Sequence, residues 1–377
     1  MPPAIEAFNN LNRKANEAGP EQSRRRLGCV LQLGILIEGF PMIQSFSFVM
    51  IPLLLLTAAS TALAQISDFQ KSASSSDVSP DDDSPKSRLN VPTKTLGGRE
   101  FWGDVVHFHE WRIQQNVVTR HYRLLDGTDT RRAWGTREQC QAALDEIKCE
   151  LKLPRMSGTG VILIHGITRS SKSMAAFREP LTKAGFHVFP FDYPSTRVEI
   201  PESADYLKQV IESLEGVESL YIVAHSMGGI VTRAYMSQKP DARIKRLVML
   251  GSPNSGAELA DLMSDKMNFV FKPMLGPAGQ QLVTDPEGLI ARLPIPTCDF
   301  AVIAGGRGGS GFNPLIPGDD DGIVSVASTR LPGAVDFIQV ESLHLRLLRS
   351  PEAISSAIRF LETGKLRKEG DPQPILR

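Results

Sequence analysis

The chain has 377 residues, 42 Lys and Arg against 42 Asp and Glu, and a hydrophobic fraction of 41%. That length suits one large domain or two ordinary ones. A formal net charge of zero argues against nucleic acid as the main partner, because phosphate binding favours a basic face.

The first feature in chain order is an uncharged stretch from Met42 to Ala64, "MIQSFSFVMIPLLLLTAASTALA". It is Leu-rich at its centre and ends in Ala62-Leu63-Ala64, the small-x-small pattern that precedes signal-peptidase cleavage. Residues 1–64 are therefore read as a leader with a signal peptide, with Arg24, Arg25 and Arg26 as its positive region. A start at Met42 or Met50 would make the preceding residues an upstream extension. At about 20 residues the apolar stretch is also long enough to remain as a membrane anchor. Both readings put the remainder outside the cytoplasm, as a periplasmic, secreted or anchored protein. Residues 65–97 are rich in Ser, Asp and Pro and poor in large apolar groups, the composition of a flexible linker that cannot offset its ordering entropy.

Structured patterning begins near residue 98. "VVHFHEWRIQQNVVTRHYRLLD" alternates apolar and polar residues and reads as strands at a sheet edge, with a turn at Asp126-Gly127. "TREQCQAALDEIK" has helical spacing with Thr136 as its cap. Cys140 and Cys149 bracket this helix, and an exported protein permits a bridge between them only if the helix ends before Cys149. No Cys–His spacing matches a zinc site.

A repeating unit follows. "VILIHG" (161–166) is a short apolar run suited to a strand buried on both faces, and a helix over Lys172–Ala184 comes next. The alternation continues through "HVFPFDY", the helix "SADYLKQVIESLEG", "LYIVAHS" and a helix from Gly229. The runs "IKRLVMLGSP", "DFAVIAG" and "VDFIQV" follow, then a last amphipathic helix "SPEAISSAIRFLE". Strands alternating with helices predict a mostly parallel sheet with helices on both faces. A cap insertion interrupts the pattern after the strand ending near Gly251, over about 256–296. Residues 366–377 read as a polar tail.

In a parallel sheet, ligands sit beyond the carboxyl ends of the strands. Ser226 follows "LYIVAH" and precedes a helix, a position that presents its hydroxyl on a sharp turn. Such a turn needs small residues two places away on each side, here Ala224 and Gly228. A serine nucleophile needs a base, and the base needs an orienting carboxylate. His344, in "VESLHLRLL", is the only histidine after Ser226. In "PGDDDGIVSVAS" the adjacent Asp319, Asp320 and Asp321 supply carboxylates.

Over roughly Val161–Leu361 the sequence resembles the α/β-hydrolase superfamily, and "IVAHSMGGIVTRAY" looks most like bacterial class-2 lipases and PGAP1-like esterases. The resemblance implies an α/β-hydrolase domain over 98–365 and the catalytic order Ser226, acid, His344. It favours Asp321, which precedes "GIV", with Asp320 as the rival. It also implies an oxyanion hole made by the backbone N–H groups of Met227 and of Ile167 in "ILIHGITRS", with His165 bracing that loop. "GSPNSG" leads into the cap, and its Ser252 and Ser255 are loop residues. Phe269, Phe271 and Met274 in the cap line an acyl pocket or pack as ordinary core. The expectation is an exported esterase or lipase acting on an ester or lipid, in contact with a membrane surface where the substrate requires it, without cofactor or metal. The alternatives are an acyltransferase using the same residues or a non-catalytic binding protein on this fold.

Overall fold

A computed structural model describes residues 92–95, 100–238, 240–261 and 275–376. The leader and almost all of the linker lie outside the described residues, as do Phe269, Phe271 and Met274.

The central sheet contains β6 (Thr159–Ile164), β7 (His187–Phe191), β8 (Ser219–His225), β9 (Ile244–Leu250), β10 (Asp299–Gly306) and β11 (Asp336–Glu341). Its strand order is β11-β10-β9-β8-β6-β7, and every pairing is parallel. Because side chains alternate along a strand, the apolar runs divide between two cores. Val161, Leu163, Val223, Val248, Leu250 and Ile303 pack with Phe177 and Leu181 of α2 (Ala175–Lys183) and with Ala357 and Phe360 of α7 (Pro351–Thr363). Ile162, Ile164, Ile222, Ala224, Leu247 and Met249 face the opposite way. They meet Leu207 and Val210 of α3 (Ile200–Ser213) and Ile230 and Val231 of α4 (Met227–Met236). Helices on both faces explain why these strands read as continuous apolar runs. The predicted helix over 172–184 is divided, with a 3₁₀ turn over Ser171–Met174 preceding α2.

The strands before residue 137 are not an edge of this sheet. They form a second, antiparallel sheet in the order β1-β5-β4-β3-β2, from β1 (Thr93–Lys94), β2 (Trp102–Phe108), β3 (Trp111–Asn116), β4 (Tyr122–Leu125) and β5 (Thr130–Gly135). β5 was not anticipated, because "TRRAWG" is charged and half exposed and shows no clean alternation. The turn at 126–129 joins β4 to β5, closed by the Asp129 N–H on the Asp126 carbonyl at 3.0 Å. One face of this sheet buries Ile113, Leu124 and Ala133 with Cys140 and Leu144 of α1 (Arg137–Glu150). β2 packs on α3 and meets the end of β7 through the backbone bond from Asp104 N–H to Asp192 O at 2.9 Å.

Thr136 caps α1 through a reciprocal box with Gln139, a device worth about 1 kcal/mol. The helix continues through Cys149, so the condition for a bridge fails: Cys140 is buried on one face, Cys149 is exposed, and both are free. Regular helical rise puts their backbones about 13 Å apart. The polar tail is docked rather than loose. Buried Asp336 accepts from Leu366 N–H at 2.8 Å, Arg367 at 2.7 Å and Gln373 N–H at 2.9 Å, and Ile375 pairs with Gly333 and Ala334. Two further short helices are α5 (Leu289–Arg292) and α6 (Val326–Thr329).

Candidate functional site

Ser226 stands at the carboxyl end of β8, near the middle of the parallel sheet, and caps α4. Its φ of 55° and ψ of −128° lie in a region that side-chain-bearing residues rarely adopt. Such a conformation costs of order 1–3 kcal/mol and persists only where its surroundings impose it. The imposing contacts are local: Ser226 N–H donates to Leu250 O at 2.9 Å, and Gly229 N–H returns to Ser226 O at 3.0 Å. Gly228 passes so close to β6 that a methyl there would meet the carbonyls of Ile164 and His165 at 2.8 Å, as the small-residue expectation required. A strained serine between a central parallel strand and a buried helix is the defining turn of one architecture.

The fold is that of the α/β-hydrolases.

On the loops after β10 and β11, Asp321 and His344 meet. Asp321 Oδ2 accepts from His344 Nδ1 at 2.6 Å, and the Asp321 carbonyl accepts from His344 N–H at 2.8 Å. The other carboxylate oxygen, Oδ1, accepts from Ile323 N–H at 3.0 Å and Val324 N–H at 2.8 Å, which fixes the carboxylate plane. The neighbouring aspartates have other tasks. Asp320 accepts from the amides of Asn313 (3.0 Å) and Gly322 (2.6 Å). Asp319 accepts from those of Arg307 (2.7 Å), Gly308 (2.8 Å) and Gly309 (3.1 Å) and from the Gln339 side chain. These amide bonds outweigh the opposing effect of burial and hold the Asp319 carboxyl below its ordinary range. Of the three adjacent carboxylates, the geometry brings Asp321 to His344.

The pair adjoins the serine turn. A methyl at Gly251, the residue after Leu250, would stand 3.1 Å from Asp321 Oδ2 and 3.2 Å from His344 Nδ1. His225, next to Ser226, approaches His344 with ring centroids 4.7 Å apart. Ser226, Asp321 and His344 are all buried, with 7%, 1% and 4% of their surface exposed. The Ser226 hydroxyl makes no hydrogen bond among the described residues, and such contacts commonly tighten only when substrate is bound.

The loop after β6 touches the serine directly. A methyl at Gly166 would lie 2.9 Å from Ser226 Cβ, so only glycine admits this approach without displacement. Among the described residues, no protein acceptor takes the N–H of Ile167 or of Met227. The segment after β7 holds this loop at three points: Tyr193 Oη donates to His165 O at 2.7 Å, Thr168 N–H donates to Ser195 Oγ at 3.0 Å, and Ser171 donates to Asp192. His165 packs on Tyr193 with centroids 4.4 Å apart, and its Nδ1 lies 2.8 Å from Gly166 O. Burial pushes its pKa below the ordinary range, against the pull of Asp192 3.8 Å away. This is a bracing position, consistent with the reading of His165 as a support. Asp192, Tyr193 and Ser195 had no motif to mark them.

Ser252 and Ser255 lie on the loop after β9, and Ser252 is wholly buried against Gly229. In the described part of the cap, Ala278 and Leu282 pack in the core, Ile167 and Leu275 flank them, and a methyl at Gly279 would lie 3.5 Å from Ile167 Cδ1. Both feet of the cap meet Arg233 of α4. Its guanidinium donates to Asn254 O at 3.1 Å on one side and to Leu293 O at 2.8 Å and Pro294 O at 3.2 Å on the other.

A family model described as a domain of unknown function, DUF7379, matches residues 123–274. The lysosomal thioesterase PPT2-B of Xenopus laevis is 26% identical over 106 residues, covering 26% of this chain and 36% of that protein. The chain thus spans about a third of that relative's length. Among solved structures, the mature lipase BlEst2 of Bacillus licheniformis is 20% identical with a TM-score of 0.44, covering 55% of this chain and 91% of that one. The lin2722 product of Listeria innocua is 19% identical with a TM-score of 0.41, covering 59% and 99%.

Proposed function

We propose that this chain is an exported serine hydrolase that cleaves carboxylic esters through an acyl-enzyme. Ser226 Oγ attacks the acyl carbon while His344 Nε2 accepts its proton, and Asp321 orients and stabilises the resulting imidazolium. The oxyanion receives the N–H groups of Ile167 and Met227, donors of the kind that lower such barriers by several kcal/mol together. His344 then protonates the leaving alcohol, and water activated by the same base releases the acid. Transfer to a second alcohol in place of water is the acyltransferase variant of this cycle.

One observation carries the reading: a His344–Asp321 hydrogen bond of 2.6 Å beside a serine held at positive φ. Export rests on the uncharged Met42–Ala64 segment and its Ala62-Leu63-Ala64 ending. The apolar residues Phe269, Phe271 and Met274 are proposed to line the acyl site, and a lipid substrate would bring the protein to a membrane surface. Likeness to a thioesterase adds acyl thioesters to the substrates worth testing, since the attacked carbon is the same. A fluorophosphonate probe should label the parent protein and not Ser226→Ala, and the parent should hydrolyse a nitrophenyl ester. A parent that neither labels nor turns over esters or thioesters would leave a binding protein on this fold.

A further inference from the structure

His225 has no role in the reaction just described, yet it is buried, next to Ser226 in the chain and with its ring 4.7 Å from that of His344. Its Nε2 lies 3.1 Å from the His344 carbonyl. A carbonyl only accepts, so Nε2 carries the proton and donates. The other nitrogen, Nδ1, is buried with no hydrogen-bond partner among the described residues, facing Gly166. His344 is thereby held at three points: its N–H by the Asp321 carbonyl, its Nδ1 by the Asp321 carboxylate, and its own carbonyl by His225.

We infer that His225 is a positioning residue for the base, fixing the backbone of His344 through its carbonyl and linking it to the serine turn. The inference rests on the reading of His344 as the base. That bond gives a reason for a histidine, with its ring donor, in place of an apolar residue at the end of β8. The backbone of β8 continues directly into the strained Ser226, so one ring ties nucleophile turn and base loop at a fixed separation. Burial and the nearby His344 keep the His225 ring well below the ordinary histidine pKa range. A neutral ring 4.7 Å away does not oppose the positive charge that develops on His344 during attack. A lysine or arginine at 225 would donate to the same carbonyl and add an opposing charge.

Two variants separate positioning from simple packing. His225→Met keeps length and burial but loses the donor, whereas His225→Gln retains an N–H at similar reach. On a nitrophenyl ester, His225→Met should lower kcat by about 10–100-fold with little change in KM, the size expected for misplacement of a reacting group. His225→Gln should recover most of that loss at equal thermal stability. A kcat for His225→Met equal to the parent's, or a loss as large in His225→Gln, would overturn the inference. Should His225→Met fail to fold, the parent decides. A two-bond ¹H–¹⁵N spectrum should show the His225 ring protonated at Nε2, and protonation at Nδ1 would overturn the bond. Ser226→Ala run alongside keeps the two ideas apart. If it retains turnover, the reading of the site fails, while the tautomer still reports on the His225–His344 bond.

Discussion

The two sheets bury very different material. In the parallel sheet, apolar side chains fill both faces, and polar groups gather only where strands end, at His165, His225, Ser226 and the loops bearing Asp321 and His344. The antiparallel sheet carries charge in its interior. Asp104, Arg112, Gln114 and Arg123 are all buried, joined by Gln114 Nε2 to Asp104 at 2.8 Å and Arg123 to Gln114 at 2.7 Å. Arg112 also meets Asp192 at 2.8 Å and pairs with Asp129. Desolvation would raise the Asp104 carboxyl, but Arg112 and His107 outweigh it and hold the group below its ordinary range. A buried polar group at a strand end therefore has a different meaning from one inside a sheet. The strand-end set holds the groups proposed to meet reacting atoms, whereas the groups inside the antiparallel sheet persist because they are paired.

The largest effect should follow from breaking the strand-end set. Ser226→Ala should fold with an unchanged melting temperature and lose at least about 1,000-fold in ester turnover, since only binding and oxyanion contributions remain. Retention of more than about a hundredth of the parent rate would remove Ser226 from the proposed role.

Asp321→Asn should cost about 100-fold or more in kcat, because an amide cannot hold the same His344 tautomer and stabilise its cation. Asp320→Asn should instead weaken the loop at 311–313 and lower the melting temperature while leaving kcat within about tenfold, as befits a carboxylate that receives only backbone amides. Kinetics and thermal melts on the two variants test this, and the reverse ranking would reassign the acid.

The antiparallel network should respond in stability. Arg112→Met leaves Asp104, Asp129 and Asp192 without their shared cation, a change of the kind that costs about 3–5 kcal/mol. Urea unfolding should register that loss, while turnover per folded molecule falls only a few-fold through the Asp192 support of the loop after β6. If kcat collapsed with stability intact, the division between the two sheets would be wrong.

The smallest effect concerns the turn between β4 and β5. Burial raises the Asp126 carboxyl, but bonds from Thr128, Arg132 and the amides of Thr130 and Thr128 outweigh it and hold it at about 2. Its unfolded value is about 4. A depressed carboxyl contributes its stability in full above the unfolded value and loses it as pH falls through the folded one. Asp126→Asn should therefore flatten the decline in melting temperature between about pH 4 and pH 2 and lower it modestly at neutral pH. An unchanged slope would show that those bonds form equally in the unfolded chain.

Much of this molecule is legible in its amino-acid sequence. Buried parallel strands are short and apolar throughout, so "VILIHG" and "LYIVAH" declared themselves, and a small-x-Ser-x-Gly between strand and helix marked the tight turn at Ser226. His344 stood out because no other histidine follows Ser226. Thr136 marked its helix because capping is chemistry between residues three apart. Other features depended on contacts that spacing does not encode. Which of three consecutive carboxylates meets His344 depends on the backbone direction at each of them, set by amides from residues 307 to 324. The antiparallel sheet was misread as an edge because its half-buried, charged strands carry no sign of which surface they cover. One partner of its interior charges, Asp192, is distant in sequence. The role inferred for His225 was hidden for the same reason, since its partner lies 119 residues away. Local order is written in short-range spacing, whereas the pairing of buried polar groups is decided only when the chain closes on itself.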